Sequence, residues 1–91
     1  MDSFKLAKEK YNDAVATFKN GNYKKAEELL NSVLEKCAEY TEIKKLYIES
    51  LLQNNKPKEV LAFISQKLND EEKMIEEFDY YTAKAMYFNG E

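Results

Sequence analysis

Ninety-one residues bound the chain to one small domain or a fragment of a larger one, able to bury about 60–65% of its unfolded surface. Fourteen basic residues stand against seventeen acidic ones for a net charge of −3, and every basic residue is lysine, with no Arg, His or Trp. Neutral-pH acid–base and zinc chemistry thereby lose their commonest side chain, and bidentate reading of phosphate or guanine is ruled out.

The dominant period is helical. Phe4, Ala7, Tyr11, Ala14, Val15 and Phe18 recur at steps of three and four, which predicts a first helix capped by Asp2 or Ser3. Asn20-Gly21-Asn22 ends it, glycine being suited to a left-handed stop. A second helix starts near Tyr23 with Asn22 as its cap, and presents Ala26, Leu29, Leu30, Val33, Leu34 and Cys37 on one face. After a break around 38–41, Thr41 is expected to cap a third helix built on Ile43, Leu46, Tyr47, Ile48, Leu51 and Leu52. Pro57 suits the first turn of a fourth, which buries Val60, Leu61, Phe63, Ile64 and Leu68. Asn69-Asp70 punctuates, and a fifth helix is expected from about Glu71 to Phe88. No stretch alternates with period two, so the expected class is all-α, in five helices.

The chain repeats itself. A shift of 34 lays Asn20-Gly21 on Asn54-Asn55, Phe18 on Leu52, Ala14 on Ile48, Ala26 on Val60 and Leu30 on Ile64. A further shift of 35 carries Asn54-Asn55 onto Asn89-Gly90 and Leu52 onto Tyr87. The first and last copies agree at Tyr11/Tyr80, Ala14/Ala83, Ala16/Ala85, Phe18/Tyr87, Asn20/Asn89 and Gly21/Gly90.

These helix–turn–helix units resemble the tetratricopeptide repeat (TPR) family, most closely over Ala14-x-Ala16-x-Phe18-Lys19-Asn20-Gly21-Asn22-Tyr23-x-x-Ala26-x-x-x-Leu30. The resemblance spans one domain over 1–91, in units of about 7–40, 41–75 and a partial 76–91. It implies a right-handed array of antiparallel helix pairs, two complete units plus the inner helix of a third. Lys10, Asp13 and Thr17 stand where the family often has bulky apolar residues, and Ile48 where a small one is usual, which predicts a wider second unit. The stretch from Leu34 to Pro57 is faintly similar to middle repeats of J-domain TPR co-chaperones.

The family's inner helices line a concave groove that receives peptides. Carried over, the groove positions are Tyr11, Val15 and Lys19, then Lys45, Glu49 and Gln53, then Tyr80, Lys84 and Phe88. The alternative is that these tyrosines only cover an inner wall. Some family members hold a C-terminal carboxylate with a Lys and an Asn one turn apart. Here Tyr11 and Val15 occupy those places, and Glu49 is expected to neutralise Lys45, so no carboxylate clamp is expected.

Other chemistry is weakly supported. The serines have no motif context and there is no Gly-rich phosphate loop, so no catalytic residue, enzyme activity or cofactor is expected. Glu72, Glu76 and Asp79 would share a helix face, but without a calcium-loop turn they read as a solvated face, or else as a patch that attracts a basic partner, rather than as a metal site. Scattered lysines and negative charge argue against nucleic acid. No run approaches the ~20 apolar residues of a membrane span. Cys37 has no internal partner for a disulfide and reads as a small buried hydrophobe. A cytoplasmic or nuclear protein is expected, not a secreted one.

The expected function is a non-enzymatic protein-interaction scaffold. It takes a peptide or partner helix in the groove, and a co-chaperone is one form of this. The alternative is a self-assembly element. The last helix is rich in apolar residues, and Phe78, Tyr81, Met86 and Tyr87 are its candidate contacts with a second copy, unless a longer repeat protein continues beyond Glu91.

Overall fold

The computed structural model describes residues 2–36 and 41–90, and these are all-helical apart from their turns. The elements are α1 (Asp2–Lys19), α2 (Tyr23–Lys36), α3 (Thr41–Gln53), α4 (Pro57–Lys67), α5 (Asp70–Lys73) and α6 (Glu76–Phe88). Cys37 and the break before Thr41 lie outside the described residues. Asp2 and Ser3, expected as caps, already belong to α1.

One turn design recurs at the repeat spacing. After α1, the Gly21 N–H donates to the Phe18 carbonyl and the Asn22 N–H to that of Thr17, both at 3.0 Å. This pair of bonds satisfies carbonyls that the helix end leaves open. After α3 the same bonds run from Asn55 to Leu52 and from Lys56 to Leu51. After α6 the Gly90 N–H reaches Tyr87. Gly21, Asn55 and Gly90 all take left-handed backbone, with φ of +84°, +61° and +81°. Asn22 then serves as expected, its Oδ1 accepting from the Lys25 N–H at 3.4 Å.

Contacts across the turns show the chain doubling back. Lys10 Nζ donates to Ser32 Oγ, while the rings of Phe18 and Tyr23 meet at 4.9 Å, so α1 and α2 are antiparallel. The α3–α4 pair is antiparallel too, with Tyr47 and Phe63 rings 5.0 Å apart and Lys44 Nζ donating to the Lys67 carbonyl. By contrast α3 and α6 run parallel: Lys45 pairs with Glu77 and Glu49 with Tyr81. With α1 also against α3 and α4 against α6, one layer holds α1, α3 and α6, and the other α2 and α4. The 18 Å shortest dimension is two packed helix layers.

Two apolar clusters fill the interior, one around Leu30 and Val33 and one around Ile48, Leu51, Val60 and Phe78, with Tyr47 packed against both. Ala14 and Ala26 are fully buried, small residues that let α1 and α2 run close along their length. Their counterparts Ile48 and Val60 are also fully buried, and α3 meets α4 less extensively, in keeping with the larger side chains.

The expected fifth helix is two helices. Lys44 and Glu72 are both buried and form an ion pair at 2.7 Å. Lys44 also caps the last carbonyl of α4, where the helix dipole favours a cation. Glu72 closes a capping box with Asn69, accepting from its N–H at 3.1 Å while the Asn69 side chain accepts from the Glu72 N–H at 2.8 Å. Thr41, expected as a cap, is the first residue of α3 and donates its hydroxyl to Glu72 at 3.2 Å. The first turn is thus tied to α3 and α4. Continued straight, the period that buries Phe78, Tyr81 and Ala85 would carry Glu71 and Met74 inward. Instead extended backbone at Ile75 resets the phase, and Met74 is 84% exposed. The break also separates Glu72 from Glu76 and Asp79, so those three do not share one helix face.

Three substitutions check this account, the last of them also through pH. A methyl group on Gly21 would meet nothing within 4 Å, so the cost of Gly21→Ala is conformational, about 1–2 kcal/mol in urea unfolding. Asn55→Gly is expected within about 0.5 kcal/mol of the parent, because eased backbone strain is offset by a freer unfolded chain. Glu72→Gln keeps the capping acceptor but leaves the Lys44 ammonium buried without a counter-charge, and is expected to cost about 3 kcal/mol. Burial pushes the Glu72 carboxyl up, but the bonds from Lys44, the Asn69 N–H and Thr41 outweigh it and hold the group below its ordinary 4.5. Its stabilisation is therefore full above that pH and lost as pH falls through the lower folded value, a loss that the Gln variant should not show.

Candidate functional site

The parallel register of α3 and α6 builds a groove on the inner layer. Two bonds set it. Lys45 Nζ meets Glu77 Oε1 at 2.7 Å, and the Tyr81 hydroxyl donates to Glu49 Oε1 at 3.0 Å. Between these helices lie two adjoining depressions. The first is lined by Glu49, Ile75, Glu76, Glu77, Tyr80 and Tyr81. The second, of about 210 Å³, is lined by Phe18, Glu49, Leu52, Gln53, Tyr80, Tyr81 and Lys84. Glu49, Tyr80 and Tyr81 belong to both, so the groove is continuous past them.

An aromatic ladder runs down α6 beside it. Tyr80 is 59% exposed and its ring lies 5.8 Å from that of Tyr81. Lys84 Nζ stands 5.6 Å from the Tyr80 ring centre and 5.9 Å from that of Phe88, one cation shared by rings one turn to either side. The opposite wall, from α3, carries Glu49, Leu52 and Gln53. Burial pushes the Tyr81 phenol far above the ordinary tyrosine value, and its bond to Glu49 with the charges of Glu49, Glu77 and Glu42 adds to that. Tyr11 on α1 is raised by burial and then by Glu42 and Glu49. Phenols on two different helices thus feel the same α3 carboxylates. The hydrogen bond to Glu77 raises the Lys45 ammonium, against the opposing effect of burial.

Of the expected groove positions, Glu49, Gln53, Tyr80 and Lys84 come together, and Phe88 joins through Lys84. Lys45 borders the groove through Glu77. Tyr11 packs against the first core cluster, Val15 is half-buried and Lys19 is exposed at the end of α1, and none of these three lines the two depressions.

Two expectations need correction. Lys45 is paired with Glu77 and, at 3.5 Å, with Glu42, whereas Glu49 accepts from Tyr81. A carboxylate four residues along the same helix loses here to one brought in by another helix. Phe78 and Tyr81, expected on a self-association surface, are 1% and 6% exposed because the break at Ile75 turns them into the chain's own core. Met86 and Tyr87 remain outside, Tyr87 at 79%.

Phe18, Leu52, Ile75, Glu76 and Glu77 line the groove without having been singled out. Phe18 and Leu52 carried a signal, since each precedes an equivalent turn and one falls on the other at the 34-residue shift. In sequence Glu76 reads as part of an acidic face with Glu72 and Asp79, and Glu77 as one more acid of the same run. Among the described residues no group of metal-ligating side chains gathers, and no helix is long and apolar enough to cross a membrane. No family model matches the chain, and neither a curated protein nor a solved structure matches it.

Proposed function

We propose that the chain is a TPR-type helical array and a non-enzymatic protein-interaction scaffold of the cytosol, holding a peptide or partner helix in the groove between α3 and α6. The observation that carries this reading is the combination of turn and groove. Three turns with a left-handed residue and the same N–H to i−3 carbonyl bond recur at 34 and 35 residues, and two of the helices that end in them, the parallel α3 and α6, leave aromatic rings exposed beside fixed polar groups. An extended or helical segment finds apolar contact there with a few directional bonds, the usual composition of a peptide site. The absence of a Lys–Asn pair at Tyr11 and Val15 sets this groove apart from carboxylate-binding co-chaperone repeats.

Self-assembly is the second reading, favoured by Tyr87 and Met86 standing exposed at the end of α6.

Partner capture on the immobilised chain tests the first. Tyr80→Ala should lower retention about tenfold, as for a central aromatic anchor, while Lys25→Ala on exposed α2 should leave it unchanged. Equal retention by both variants would sink the groove. Sedimentation of the same protein reads the alternative: a monomer mass even at high concentration excludes self-assembly.

A further inference from the structure

The groove has a charge that the two readings above do not use. From α3 it is lined by Glu49, and from α6 by Glu76, Glu77 and Lys84, with Lys45 and Glu42 bordering it through the pair to Glu77. Lys45 is consumed by Glu77 and Glu42. Lys84 lies at the far end, over the rings of Tyr80 and Phe88. The end lined by Ile75, Tyr80 and Tyr81 therefore presents Glu49 and Glu76 beside the Lys45-paired Glu77, with no cation among its lining residues. A helix start explains acids at Glu76 and Glu77. It does not explain Glu49, in the middle of α3, half-buried and facing the same space. Its recorded bond to Tyr81 uses Oε1 alone.

Resting on the groove reading, we propose that the occupant is a protein segment bearing a basic side chain, arginine by preference, between apolar residues, with its cation against Glu49 and the exposed ring of Tyr80. Arginine suits the place because its planar fork matches a carboxylate and its face stacks on a phenol ring. The chain already performs half of this recognition on itself, since Lys84 uses the Tyr80 ring as a cation site. Its apolar neighbours would rest on Ile75 at one end and on Phe18 and Leu52 at the other.

The test titrates the full chain with three capped peptides sharing one apolar frame and carrying Arg, Gln or Glu at the centre, followed by amide chemical shifts. The Arg peptide should bind at least about tenfold more tightly than the Glu peptide, shift the amides around Glu49 and Tyr80, and weaken as salt rises. Glu49→Gln keeps an acceptor for Tyr81 while removing the charge, and should erase most of that preference with the helical spectrum unchanged. Lys84→Gln should strengthen the Arg peptide by freeing the Tyr80 ring. Equal binding of all three peptides at these amides would overturn the charge inference and leave the groove standing. Shifts confined to another face, or none for any peptide, would overturn both.

Discussion

The buried pair of Lys44 and Glu72 determines how the last third of the chain meets the rest. Two ions in the interior are tolerated because each has further hydrogen-bond partners, at the Lys67 carbonyl on one side and at Asn69 and Thr41 on the other. That satisfaction decides its sign, since a buried pair with open valences costs more in desolvation than it returns. Because the pair joins α3 to the end of α4 and the start of α5, it fixes where the chain leaves the second unit.

Everything distinctive about α6 follows from there. With α5 held, the chain needs one residue of extended backbone at Ile75 to bring Phe78, Tyr81 and Ala85 onto the core. The same rotation leaves Tyr80 and Lys84 along the groove and Tyr87 outward. Core and groove share an atom-level link in the bond from Tyr81 to Glu49, whose ring packs inside while its hydroxyl orders a groove carboxylate. The surface that meets a ligand is thus set by the packing beneath it.

Much of the fold was legible along the chain. Helix periods, the stops at Gly21 and Gly90, the cap at Asn22 and the first-turn place of Pro57 are local properties, decided within a few residues, and the helices carry them. The repeat told more, because Asn55 adopts the left-handed turn that the glycines predicted for its position. The break at Ile75 was hidden, since Met74 and Ile75 both read as apolar helix residues. The burial of Lys44 was hidden too: a lysine between Ile43 and Lys45 looks solvent-facing until a carboxylate 28 residues away is placed on it.

Local periodicity sets an all-α chain, cut into helices at three equivalent turns, with Glu49 and Lys84 at corresponding places of the repeat. Which side chains meet is settled by packing between distant helices. Lys45 took Glu77 and Glu42 rather than Glu49, Tyr81 went inward and Tyr80 outward, and Glu49 was left facing the groove. The physical reason is that helix formation reads a period of 3.6 residues. The rotation of each helix about its axis is set by apolar burial and by ion pairs that span about thirty positions of chain.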